Sequence, residues 1–150
     1  ADTVSNMQRY QAVVTSGLSD REQLTALGTL MGESEYVKVE TGYEFGVTPA
    51  QYIQARESVA EIDDNGSTSQ DEATRAISSI QGLTVRERAV LWQLQNKSWK
   101  ATNNPYDTIT GQQVYNALHA GDTEETVELP RLGQAAEDAD LPTLSLPRLG

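Results

Sequence analysis

The chain has 150 residues, enough for one domain with a modest core, and its 37% hydrophobic and 6% aromatic content is low for a single globule, so a folded part carrying an extended one is expected. A formal charge of −11 and a pI near 4.4 argue against direct nucleic-acid binding, because an acidic surface repels phosphate, and the absence of cysteine excludes disulfides and thiolate metal sites. No apolar run is long enough to span a bilayer and no stretch reads as a signal peptide, so a membrane partner is not expected.

In chain order, Met7, Tyr10 and Val14 open a helical stripe at i, i+3, i+7 spacing. It stops at the first of three related phrases, Gly17-Leu18-Ser19-Asp20-Arg21-Glu22. The second is Gly46-Val47-Thr48-Pro49-Ala50-Gln51 and the third Gly82-Leu83-Thr84-Val85-Arg86-Glu87. In each, glycine adopts the left-handed conformation past a helix end, and Ser or Thr three residues before Glu or Gln caps the next helix. The single apolar residue between stop and start is expected to tuck into the core. Pro49 suits the first helical position.

Leu24, Leu27 and Met31 form the next stripe, then Tyr36, Val39 and Tyr43, then Tyr52, Ala55 and Val59. Ala73, Ala76, Ile77 and Ile80 follow. After Thr84, Val85, Ala89, Trp92 and Trp99 are expected on one helix face, widened by Leu91 and Leu94, with the tryptophans anchoring the core. Asn103 to Asp107 should break that helix, and Gly111 to His119 should form a last short one. No strand alternation is evident. The expected fold is all-α, six or seven short helices packed as successive αα-hairpins within residues 1–120.

Between the fourth stripe and the fifth lies Glu61-Ile62-Asp63-Asp64-Asn65-Gly66-Ser67-Thr68-Ser69-Gln70-Asp71-Glu72, which fits the spacing of an EF-hand calcium loop. Glu61, Asp63, Asn65, Ser67 and Ser69 fall at the alternating ligand positions, Gly66 at the sharp turn and Glu72 at the bidentate end. Calcium is the one cofactor the sequence implies. Glu61 in place of aspartate and Thr68 in place of a β-branched apolar residue depart from the pattern. A metal-free reading serves the same residues: Asp63 to Gly66 is turn chemistry, and Ser69 to Glu72 is a capping box.

Residues 121–150 hold seven acidic residues against Arg131 and Arg148, three of the five prolines and no aromatic, so they are expected to be an extended tail. Within it Leu129-Pro130-Arg131-Leu132-Gly133 recurs as Leu146-Pro147-Arg148-Leu149-Gly150, 17 residues later. Proline favours an extended segment, the leucines fill small apolar pockets and arginine forks onto a carboxylate, so the pair reads as two docking peptides, with a duplicated spacer as the alternative.

The 61–72 stretch, with Gly82-Leu83-Thr84, Ala89-Val90-Leu91-Trp92-Gln93, Trp99-Lys100 and Asn103-Asn104-Pro105-Tyr106, resembles a helical module near the carboxyl end of large bacteriophage virion-associated or large polyvalent proteins. Tyr36-Val37-Lys38, Gly46-Val47-Thr48 and Tyr52 are similar to the start of that module, so the resemblance covers about residues 34–106. It implies a phage particle, with other virion proteins as partners through the tail. It carries no catalytic signature. A first residue of Ala1 rather than Met is in keeping with removal of an initiator, a leader or an upstream region, as by a virion protease. A calcium-dependent protein-binding module of EF-hand or dockerin type is the second expectation. Enzymatic function is the third: His119 is the only histidine, and among 22 acidic residues nothing selects a pair such as Glu33 and Glu35.

Overall fold

The three glycine phrases set where the helices end. In the computed structural model, which describes residues 3–62 and 68–122, Gly17, Gly46 and Gly82 have φ of 85°, 93° and 88°, the left-handed region in which a Cβ is strained. Each is followed by a reciprocal cap. Ser19 Oγ accepts from the Glu22 amide at 3.2 Å while the Ser19 amide donates to Glu22 Oε1 at 3.0 Å. Thr48 and Gln51 exchange the same bonds at 3.1 and 2.9 Å, and Thr84 and Glu87 at 3.0 and 2.9 Å. These bonds occupy amides that a helix start otherwise leaves unpaired, each cap being worth about 1 kcal/mol.

Seven α-helices result, with no strand among the described residues: α1 Thr3–Val14, α2 Asp20–Leu30, α3 Glu33–Glu44, α4 Pro49–Ile62, α5 Gln70–Ser78, α6 Val85–Leu94 and α7 Thr108–Leu118, with a 3₁₀ turn at Ala101–Asn103 before α7. Sequential helices pack as neighbours, and α3 also lies against α6 and α7, while α1 reaches α4. The packed unit ends at Leu118; of the second unit, His119–Gly150, residues 119–122 are described and form a turn.

The core follows the stripes: Leu27, Val39, Tyr52, Ala55, Ile77, Leu91, Trp92, Leu94 and Val114 are all buried. The apolar residue of the joints behaves unevenly. Val47 is 1% exposed and Leu83 packs against the core, but Leu18 stays 40% exposed. At that joint Gln23 folds under the turn instead, buried, with Nε2 donating to the Leu18 carbonyl at 2.9 Å.

The tryptophans meet, though not on one helix. After α6 stops at Leu94 a turn closes where Asn96 Oδ1 accepts from the Ser98 amide at 2.9 Å and from its hydroxyl at 2.8 Å. This brings Trp99 back against Trp92, ring centroids 4.8 Å apart and planes at 42°. Trp92 Nε1 donates to Oγ1 of the half-buried Thr74 at 2.9 Å. Val85, placed on the same face by periodicity, is 60% exposed at the first position of α6.

The last helix also starts earlier than Gly111. Asp107 Oδ1 accepts from the Ile109 and Thr110 amides at 3.0 and 3.2 Å, capping α7 at Thr108. Gly111 is left inside the helix because a Cβ there would stand 2.8 Å from Gln93 Oε1 and 2.9 Å from Asn104 Nδ2. Asn104 Nδ2 donates to the Ala89 carbonyl and to Gln93 Oε1, both at 3.0 Å; its Oδ1 accepts from the Tyr106 and Asp107 amides at 3.0 and 3.2 Å. Gln93 Nε2 donates to the Trp99 carbonyl at 2.7 Å, so the buried polar groups between α6 and α7 satisfy one another.

Truncating Trp92 should remove the largest fully buried side chain and expose its partner ring. Denaturant unfolding of Trp92→Ala is expected to show a loss of about 3–5 kcal/mol, a large share of the stability of a small domain.

Candidate functional site

The candidate calcium joint lies between two helices. Helix α4 ends at Ile62, α5 starts at Gln70, and the two helices pack together. Glu61 is exposed in the last turn of α4, and Glu72 is half-buried in the first turn of α5. Ser69 Oγ accepts from the Glu72 amide at 3.1 Å and the Ser69 amide donates to Glu72 Oε1 at 2.9 Å, a capping box like those at Ser19, Thr48 and Thr84. Asp63, Asn65 and Ser67 lie outside the described residues. Among the described residues no three carboxylate or imidazole groups converge for a metal.

A second polar constellation, spread over 21 residues of sequence, is built by the packing of α3 against α4. Glu35 stands in the first turn of α3; Tyr52 and Arg56 are one turn apart on α4. Glu35 Oε2 accepts from the Tyr52 hydroxyl at 2.6 Å and from Arg56 Nε at 3.1 Å. The Glu35 side chain is 24% exposed and that of Arg56 32%, so the pair is partly shielded from water. Glu33, two residues earlier in sequence, is exposed, whereas Glu35 is half-buried.

Electrostatics ties α1 to the same group. Burial pushes the Glu35 carboxyl upward, but the Arg56 guanidinium and the Tyr52 and Arg56 hydrogen bonds outweigh it and hold the carboxyl below its usual value. The Tyr52 hydroxyl is pushed well up by burial and then by the Glu35 charge. Tyr10 of α1 is raised by burial and by Glu35, and Lys38 is lowered by burial, Glu35 working against that shift. The arrangement is a clasp: Glu35 Oε2 is shared by two side chains of the neighbouring helix.

Sequence reading passed over Glu35 as one exposed acid among many. Its only local signal is a tyrosine and an arginine at i, i+4 on a helix whose apolar stripe already contains Tyr52. The pairing itself is tertiary. Leu129, Pro130, Arg131 and Leu132, like Leu146, Pro147, Arg148 and Leu149, lie outside the described residues. Compared with known proteins, the chain matches no family, no curated protein and no solved structure.

Glu35→Gln should lower stability by about 1–2 kcal/mol, between the values for exposed and for buried ion pairs. The sign with pH follows from the lowered carboxyl. Its contribution is complete above the unfolded carboxyl value of about 4.3 and is lost as pH falls through the lower folded value. Urea unfolding across this window should therefore show wild type and Glu35→Gln converging in acid, with a constant gap at neutral pH.

Proposed function

We propose that this chain is a non-enzymatic structural and interaction protein of a bacteriophage particle, internal, ejected or capsid-associated, tethered to a larger assembly through its duplicated C-terminal peptide. The observation that carries this reading is the division of the chain: the packed unit ends at Leu118, and both Leu-Pro-Arg-Leu-Gly copies follow it in sequence. Inside the body, the Glu35–Tyr52–Arg56 and Gln93–Asn104 groups are used to bind helix to helix. The peptide pair offers what a tether needs, with apolar side chains for a pocket, arginine for a carboxylate and two linked copies for avidity. The resemblance over residues 34–106 supplies the phage setting.

Particles assembled with full-length chain should contain it as a stoichiometric component. Arg131→Glu or Arg148→Glu alone should reduce incorporation modestly, and the double change should abolish it, because linked sites fail together only when both are weakened. Mass spectrometry of purified particles reads the outcome. Normal incorporation of the double variant would reduce the tail to a spacer.

A calcium-dependent binding module is the second reading, favoured by the packing of α4 on α5, with Glu61 at the end of one helix and Ser69 and Glu72 at the start of the next. With one loop and glutamate in its first position, affinity should be weak, roughly 10⁻⁴ to 10⁻³ M. At ten times the dissociation constant calcium would add about 1.4 kcal/mol. Glu72→Gln separates metal from cap, since glutamine keeps the capping box but loses the bidentate charge. A calcium-dependent rise in melting point in wild type that is lost in Glu72→Gln supports the site; equal responses count against it.

A further inference from the structure

Between α1 and α4 the surface opens into a groove of about 480 Å³. Val14 and Ala50 give it an accessible apolar strip above the buried Ile53, and Gln11, Thr15, Gln54 and Glu57 line the rest. Its α4 positions, 50, 53, 54 and 57, follow i, i+3, i+4, i+7 and share one face of the helix, while Tyr52 and Arg56 turn to Glu35. The groove is thus separate from the clasp. The cation beside Glu57 in sequence, Arg56, is already committed to Glu35. An acidic edge beside an apolar strip remains.

We infer that this groove is the receptor for the Leu-Pro-Arg-Leu segment of a second copy of the same chain. The inference rests on reading the repeat as a docking peptide. Proline biases such a segment toward a polyproline helix of three residues per turn and about 3.1 Å rise, which puts the two leucines on one face roughly 9 Å apart. From Ala50 to Glu57 this face of α4 runs about 10 Å, at 1.5 Å per residue. Both leucines can lie along Val14 and Ala50 while arginine, off that face, reaches the Glu57 carboxylate. The charge balance points the same way, since the docking peptides carry the tail's two cations and the body is acidic.

A second copy suits the duplication: two linked peptides let one chain engage the grooves of two neighbours at once, an advantage that self-closure leaves unused. The contact is head to tail, joining two different surfaces, and it extends from copy to copy instead of closing as a symmetric pair. The 17-residue period spans up to roughly 55–60 Å when extended, ample to reach adjacent bodies.

Sedimentation velocity on the full chain, from micromolar to sub-millimolar concentration, tests this. Wild type should grow in mass with concentration. Glu57→Lys, or the double change Arg131→Glu with Arg148→Glu, should weaken association at least about tenfold, as expected for a lost desolvated charge pair. Combining all three reverses both partners and should restore most of the association. Ala50→Gln, at an exposed position of the groove, should block it sterically, and unchanged far-UV circular dichroism confirms that each variant is folded. A chain that is monomeric throughout, or one whose association ignores these changes, overturns the inference. If that monomer still enters particles through Arg131 and Arg148, the tether stands and its receptor is another protein; association without incorporation fails the tether reading alone.

Discussion

Everything in this body depends on a stop and a start placed next to each other. Its helices run from nine to fourteen residues, lengths at which an isolated helix is marginal in water. A left-handed glycine ends one helix and a Ser or Thr box nucleates the next at Gly17–Glu22, Gly46–Gln51 and Gly82–Glu87, and Ser69–Glu72 repeats the start alone. With helix lengths fixed in this way, the apolar stripes meet, and a core with few aromatics can close around Tyr52, Trp92 and Trp99. The polar bonds of Asn104 and the bare Cα of Gly111 then allow α6 and α7 to approach closely.

What could be read from sequence was what is local. A capping box and its glycine lie within six residues, so their chemistry is visible in a short window, and the stripes from Leu24 to Ile80 needed only helical periodicity. The start of α3 was illegible because Gly32 caps it with no side-chain hydrogen bond. Trp99 lies off α6 although its spacing from Trp92 is helical, because the Asn96 turn that follows α6 returns it to the same neighbour. The cap on α7 was missed since Asp107 serves it without a glutamate three residues on. The Glu35 clasp was beyond local reading altogether: both its partners come from another helix.

The two candidate sites follow from the same division of labour. The Glu35–Tyr52–Arg56 and Gln93–Asn104 groups are matched to one another across element contacts, whereas Gln23 Oε1 and Gln95 Oε1 are buried without a protein partner among the described residues. The α1–α4 groove differs in kind, with Val14 and the exposed Ala50 beside the half-buried Glu57. Its α4 wall is about as long as one turn of the duplicated peptide, which is the match the proposed docking rests on.

Hydrogen exchange by mass spectrometry, comparing the chain free at low concentration with the chain in its assembly, bears most directly on this account. Protection should rise over residues 126–133 and 143–150 and over the two groove segments, 11–15 and 50–57, while α6 and α7 exchange as before. Protection gained instead along α6 and α7, with both Leu-Pro-Arg-Leu-Gly copies exchanging unchanged, would contradict it.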